Sequence, residues 1–245
     1  MKVWALADLH LSFSVPAKSM EIFGEHWRGY HEKIEENWRT CVAKEDLVLI
    51  AGDITWAMRI DEAIIDLKWI DSLPGTKVMI RGNHDYWWGS IGKVRAALPP
   101  SIHAIQNDCV SFGDIAICGT RLWDNHALRF SGTIPLEDEP HDPFDPEKKA
   151  EDDKILQREL GRLEMSLQAM PKTARRRICM THYPPTNFEI ETTAATALLE
   201  KYKIDTCLFG HLHALEPSEA FIGEKNGVKY YLTACDYLGF MPLEI

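Results

Sequence analysis

The feature that most restricts this chain is a series of short apolar runs, each closed by Gly, Asp, Asn or His. They are Val3–Ala7, Leu47–Ala51, Val78–Ile80, Ile115–Cys118, Ile178–Met180, Thr206–Phe209 and Tyr230–Ala234. Such runs, rich in Val, Ile and Leu, suit strands buried on both faces. Helix-period stretches lie between them. Tyr30, Ile34, Trp38 and Cys41 fall on one face of a helix expected from Trp27 to Val42, Ala63, Leu67 and Ile70 mark another, and Thr192–Tyr202 suggests one more. Leu156, Leu160, Leu163, Leu167 and Met170 step by four and three, which predicts an amphipathic helix over 153–170 closed by Pro171. Strands covered on both faces need two layers of cover. The class is therefore α/β, with two sheets packed together and helices outside.

All 245 residues read as one domain, without internal repeat or linker. One segment stands apart. Residues 124–153 carry Glu137-Asp138-Glu139-Pro140-His141-Asp142-Pro143 and Glu151-Asp152-Asp153, and read as an acidic surface insertion, a solvated loop or a lid. No stretch approaches the ~20 apolar residues of a membrane span. The 27 Lys and Arg against 37 Asp and Glu give a net charge of −10. That works against a general electrostatic grip on nucleic acid or anionic lipid. None of the six cysteines forms a C-x-x-C pair, and several sit inside apolar runs. They read as small buried hydrophobes in a reducing compartment. Met1-Lys2 leads directly into Val3–Ala7, too short for the apolar part of a signal peptide, so the expected location is the cytoplasm.

The metal-ligating side chains gather at the ends of the expected strands, where α/β folds place their sites. Asp8 and His10 follow the first run, Gly52-Asp53 the second, and Gly82-Asn83-His84-Asp85 the third. His182 follows Ile178–Met180, and Gly210-His211-Leu212-His213 follows Thr206–Phe209. The glycines before Asp53 and Asn83 let backbone approach closely where strand turns to loop. Each piece alone is commonplace. Two carboxylates, an amide and four histidines at five strand ends, with His84 beside them, are not.

The order D-x-H, G-D, G-N-H-D, H, G-H-x-H, spanning Asp8 to His213, resembles the calcineurin-like metallophosphoesterase superfamily. The resemblance implies a four-layer α/β/β/α sandwich of two mixed sheets flanked by helices. It also implies a hydrolase that cleaves phosphodiester or phosphomonoester bonds of a small substrate by attack of a metal-bridging hydroxide. Two divalent or trivalent transition-metal ions (Mn, Fe, Zn, Co or Ni) are expected, and the mixed carboxylate, amide and imidazole donors suit these metals. By position, Asp8, His10, Asp53 and His213 would hold one ion, and Asp53, Asn83, His182 and His211 the other, with Asp53 bridging. His84 would protonate the leaving oxygen or contact the phosphate.

A metal-dependent nuclease shares similar motifs, but the charge of −10 disfavours a long polyanionic substrate. Ala7–Ser12 also resembles UDP-diacylglucosamine pyrophosphate hydrolases, which often carry Arg where this chain has His84. A non-catalytic scaffold of the same fold usually lacks ligands, and here every expected ligand is present. Protein Ser/Thr phosphatases share G-D-x-x-D-R-G, whose later Asp orients the catalytic His. Here Trp56 takes that place, which leaves Asp85 as the candidate to orient His84. Purple acid phosphatases carry a Tyr ligand at this position, and an indole N–H cannot replace it. Arg59, Arg81 and Arg121 read as candidate phosphate clamps, Arg121 after Gly119-Thr120 foremost, and Tyr183, after His182, as a stacking contact to substrate. Arg175-Arg176-Arg177 reads as an exposed turn.

Overall fold

The computed structural model describes residues 1–130, 146–213, 215 and 220–245. In chain order the strands are β1 (Val3–Ala5), β2 (Leu47–Ile50), β3 (Thr76–Met79), β4 (Ile102–Ala104), β5 (Cys109–Phe112), β6 (Ile115–Thr120), β7 (Arg176–Thr181), β8 (Thr206–Phe209), β9 (Phe221–Lys225), β10 (Val228–Leu232) and β11 (Leu243–Glu244). The helices are α1 (Tyr30–Cys41), α2 (Ile60–Ser72), α3 (Ile91–Ala97), α4 (Pro146–Gln168) and α5 (Ala194–Lys201).

One sheet runs β11-β1-β2-β3-β4, the other β5-β6-β7-β8-β10-β9. Both are mixed. β1 to β4 are parallel with β11 antiparallel at one edge. β6, β7, β8 and β10 are parallel, with β5 and β9 antiparallel at the two edges.

Alternation along the strands explains the unbroken apolar runs. Val3, Ala5, Leu47, Leu49, Val78, Ile117, Ile178, Met180 and Leu208 point between the sheets. Their neighbours Trp4, Val48, Ile50 and Met79 face Ile34, Trp38, Leu67 and Ile70 of α1 and α2. On the other sheet, Cys118, Cys179, Cys207 and Phe209 face Leu160, Leu163 and Leu199 of α4 and α5. Three apolar layers between four layers of secondary structure make the α/β/β/α sandwich. Each fully buried large side chain contributes roughly 1.5–3 kcal/mol.

The sheets meet at one point that matters for the site. The Ala7 N–H donates to Thr233 O at 2.7 Å, and the Cys235 N–H donates to Ala7 O at 3.0 Å. The residue after this seam is Asp8.

Two expectations need correcting. The helix expected from 153 begins at Pro146, so Glu151, Asp152 and Asp153 are helical rather than loop. Pro is well tolerated at a helix start and acids suit its first turn, which a reading of composition took for a loop. Asp152 turns inward, accepting from the Trp123 indole N–H at 2.9 Å and pairing with His126 at 2.7 Å. Residues 131–145, including Glu137–Pro143, lie outside the described residues. Of the arginine run, only Arg175 lies in an exposed bend. Arg176 and Arg177 open β7, and the Arg176 guanidinium donates to Ile245 O at 2.5 Å.

Candidate metal centre

Unusual backbone assembles the site. Asp8 (φ 58°), His10 (φ 44°), Asp53 (φ 51°) and His211 (φ 73°) all occupy the left-handed region. Non-glycine residues there cost on the order of 1–3 kcal/mol each and persist where the surroundings dictate them. Two glycines permit the packing. A Cβ at Gly82 would overlap the Asp53 carboxylate, and one at Gly210 would overlap that of Asp8.

The side chains converge as the strand ends suggested. Asp53 Oδ2 lies 3.6 Å from His10 Nε2 and 3.5 Å from His182 Nε2. His10 Nε2 is 3.2 Å from His213 Nε2, which is 3.8 Å from Asp8 Oδ1. Asn83 Oδ1 faces His182 Nε2 at 2.5 Å and His211 Nδ1 at 3.1 Å. Two groups have donor atoms within 4.8 Å of one another: Asp8, His10 and His213, and Asp8, Asp53 and His182.

The other ring nitrogens set the tautomers. His182 Nδ1 donates to Ala51 O at 3.0 Å. Burial pushes this imidazole down to about 3, so the neutral ring presents an Nε2 lone pair toward Asp53 and Asn83. Burial likewise drives His10 and His211 well below the ordinary histidine range. His213 differs. Burial works to lower it, but the 2.9 Å hydrogen bond and the charge of Asp236 prevail and lift it to about 9. Burial raises both Asp8 and Asp53, and for Asp8 the neighbouring Asp53 charge adds to the effect.

This donor set fits a cation better than it fits itself. The two carboxylates are 0% and 1% exposed. His10 Nδ1 is buried without a partner, and lone pairs of His10, His182, Asn83 and Asp53 face one another. Buried acceptors opposing acceptors are costly unless a proton or a metal sits between them.

His84 lies at the edge of this cluster. Its backbone N–H donates to Asp53 Oδ1 at 2.8 Å, and its Nδ1 is buried without a partner among the described residues. Asp85 does not orient it. That carboxylate accepts from the N–H groups of Ile54, Thr55 and Gly82 and from the Trp87 indole, pinning the Asp53 loop to the Asn83 loop. Trp56 does the packing instead. Its ring stacks on His10 at 4.9 Å and lies against His84 at 4.4 Å. Tyr183 is buried, 4.2 Å ring to ring from His211. Arg121 lies over Trp123, and its carbonyl accepts from the backbone N–H groups of His182 and Tyr183.

Asp236 is the residue that sequence reasoning missed. It follows the Tyr230–Ala234 run by two residues, much as Asp8 follows Val3–Ala7, so the strand-end pattern itself contained the signal.

A calcineurin-like phosphoesterase family model matches residues 1–215. The chain belongs to the calcineurin-like phosphoesterase family. The family is one of metal-dependent phosphoester hydrolases, in keeping with the Asp and His groups just described. The chain is 36% identical over 86 residues to the Gene 66 protein of Mycobacterium phage D29, which is 34% of this chain and 40% of that protein. It is 35% identical over 89 residues to the Gene 66 protein of Mycobacterium phage L5, 34% of this chain and 39% of that one. The matches thus span about two fifths of the curated relatives' length. Phosphopantetheinyl hydrolase (PptH) from Mycobacterium tuberculosis shares the fold with a TM-score of 0.50 and 12% identity, covering 100% of this chain and 95% of that one. No helix among the described residues is long and apolar enough to cross a membrane.

Proposed function

We propose that the protein is a dinuclear metal-dependent phosphoesterase acting on small phosphodiesters or phosphomonoesters. The observation that carries this reading is the position of Asp53. A single carboxylate oxygen, Oδ2, stands 3.6 Å from an imidazole of one donor set and 3.5 Å from an imidazole of the other. Asp8, His10 and His213 complete one ligand group with Asp53, and Asn83, His182 and His211 complete the second. His182 approaches Asp8 as well, at 3.8 Å, but through the Nδ1 already engaged by Ala51 O. Its free nitrogen supports grouping it with Asp53 and Asn83.

When bound, the two ions supply an activated water and neutralise phosphoryl oxygens. The chain's own residues do the rest. His84 gives its proton to the leaving oxygen. Burial lowers His84, while the Asp53 charge acts to raise it. An arriving phosphoryl anion pushes in the same direction as Asp53 and favours the imidazolium. Trp56 holds both His84 and His10 by ring contact in place of an orienting carboxylate. Arg121 and Tyr183 flank the substrate side.

The test is turnover of bis(p-nitrophenyl) phosphate and p-nitrophenyl phosphate by protein reconstituted separately with Mn²⁺, Zn²⁺, Ni²⁺ and Fe²⁺. Hydrolysis that a chelator abolishes and metal restores is expected. Inert protein under every metal would overturn the reading.

A further inference from the structure

Beside the metal centre, the ends of β3, β4 and β6 and the flank of α4 enclose a cavity of about 40 Å³. That is room for roughly two or three waters, the scale of one phosphoryl group. Arg81, Arg121, Arg162, Glu159, Gln106 and Asn107 give it its polar lining. Glu159 is the single carboxylate among them. It accepts from Thr120 Oγ1 at 2.9 Å, pairs with Arg162 at 2.5 Å and lies 3.8 Å from Arg121. The Arg81 guanidinium has no hydrogen-bond or ion-pair partner among the described residues, and its Nε is fully buried. Arg121 and Arg162 thus share one carboxylate, and Arg81 pairs with none among the described residues, in a chain whose net charge is −10.

Holding a half-buried guanidinium without an anion is costly. The amides add donors. Gln106 Oε1 is taken by the Trp88 indole at 2.8 Å, which leaves its NH₂ free. Asn107, at φ 63°, has a buried Oδ1 without a partner, and rotating the amide turns its NH₂ to that position. The cavity also shares backbone with the metal centre. Arg81 precedes Gly82-Asn83, and the Arg121 carbonyl accepts from the N–H of His182 at 3.1 Å.

We propose that this cavity is a second anion subsite, which binds a phosphate of the substrate other than the one hydrolysed. The substrate class is then a phosphoester bearing two phosphate groups. A tetrahedral phosphate with three terminal oxygens uses donors arriving from several sides better than a flat carboxylate does, and guanidinium binds phosphate bidentately. The inference rests on the phosphoesterase reading for the word substrate, but the anion site stands on its own.

The test is calorimetric titration of inorganic phosphate into the full chain, before and after removal of metal by a chelator. In chelator-treated protein the metal centre no longer competes for phosphate, so the remaining binding reports the cavity. One phosphate per chain is expected there, weakened at least about tenfold by Arg81→Gln and by Arg121→Gln. Arg121→Lys should keep part of the affinity, and circular dichroism checks that each variant is folded. Phosphate that binds only with metal present, or with equal affinity in both glutamine variants, overturns the subsite. Failure to hydrolyse any p-nitrophenyl ester strikes the phosphoesterase reading instead and leaves the phosphate result standing. On the metal-loaded enzyme, Arg121→Gln should raise KM for a two-phosphate ester such as adenosine 3′,5′-bisphosphate at least about tenfold more than for p-nitrophenyl phosphate. Equal rises would assign the arginines to the scissile phosphoryl and overturn the second subsite.

Discussion

The two sheets contribute unlike halves to the centre. The rim of the first sheet brings Asp8, His10, Asp53 and Asn83, and three of these four stand at positive φ. It supplies both carboxylates, buried and, among the described residues, without an ion pair to lysine or arginine. The rim of the second sheet brings His182, His211 and His213, of which only His211 is at positive φ. It supplies imidazoles, two of them aimed by hydrogen bonds from behind, to Ala51 O and to Asp236. One half therefore holds charge under strain, and the other holds oriented nitrogen donors. The lesson is a division of labour. Losing a carboxylate from the charged half should cost the most metal and activity, whereas losing a support in the second half should loosen the site.

The largest effect tests the charged half. Asp53→Asn should bring turnover to background and lower metal content, because its one oxygen faces both donor sets. Near-normal turnover with full metal occupancy in this variant, measured by elemental analysis beside the kinetics, would remove the bridging role.

His84 comes next, since it belongs to the first rim but is not grouped with the ligands. His84→Ala should keep its metals and lose about 10²–10⁴-fold in rate on an alkyl phosphoester. It should lose far less on a p-nitrophenyl ester, whose leaving group needs no proton. The wild-type rate on the alkyl ester should fall as pH rises through the His84 pKa, because the acid must be protonated, and that limb should vanish in the variant. Similar losses on both esters would instead indicate contact with the phosphoryl group.

Asp236 sharpens the comparison from the other side. Asp236→Asn should weaken metal binding by about 10–100-fold without abolishing it. The pH dependence carries the sign. With its pKa lifted to about 9, His213 is protonated at neutral pH in the metal-free protein. Ligation must expel that proton, so metal affinity should rise with pH up to about 9 and then level off. Without the Asp236 charge the plateau should begin at lower pH. An unchanged affinity and an unchanged profile would make Asp236 irrelevant to the centre.

Trp56→Phe should have the smallest effect. A phenyl ring preserves most of the contact with His10 and His84, and the lost indole N–H has no partner among the described residues. Rates within about threefold of wild type are expected, whereas Trp56→Ala, which removes the ring, should lose more.

These halves were unequally legible. Buried strands announce themselves as apolar runs, and residues placed just after them fall at one rim, so the gathering of Asp8, Asp53, Asn83, His182 and His211 could be read from the sequence, while their division between two ions comes only from the family resemblance. The sandwich followed from the strands being buried on both faces. Asp85 shows the limit of adjacency, because its side chain turns away from His84 to collect four N–H donors. Asp236 carries no motif partner beside it in sequence; its partner, His213, lies 23 residues earlier, beyond β9 and β10. The start of α4 was misread because Pro and acids mark both loops and helix N-termini. Arg81 reads as a phosphate clamp from its place after Ile80, but that it pairs with no carboxylate among the described residues is a fact of tertiary packing.

The most direct measurement is metal stoichiometry across the two halves. Wild-type protein reconstituted with Mn²⁺ and freed of excess should contain about two equivalents by elemental analysis, and His10→Ala and His182→Ala, one from each rim, should each retain about one. Wild-type protein holding one equivalent or none, or two equivalents persisting in both variants, would contradict a centre built jointly by the two sheets.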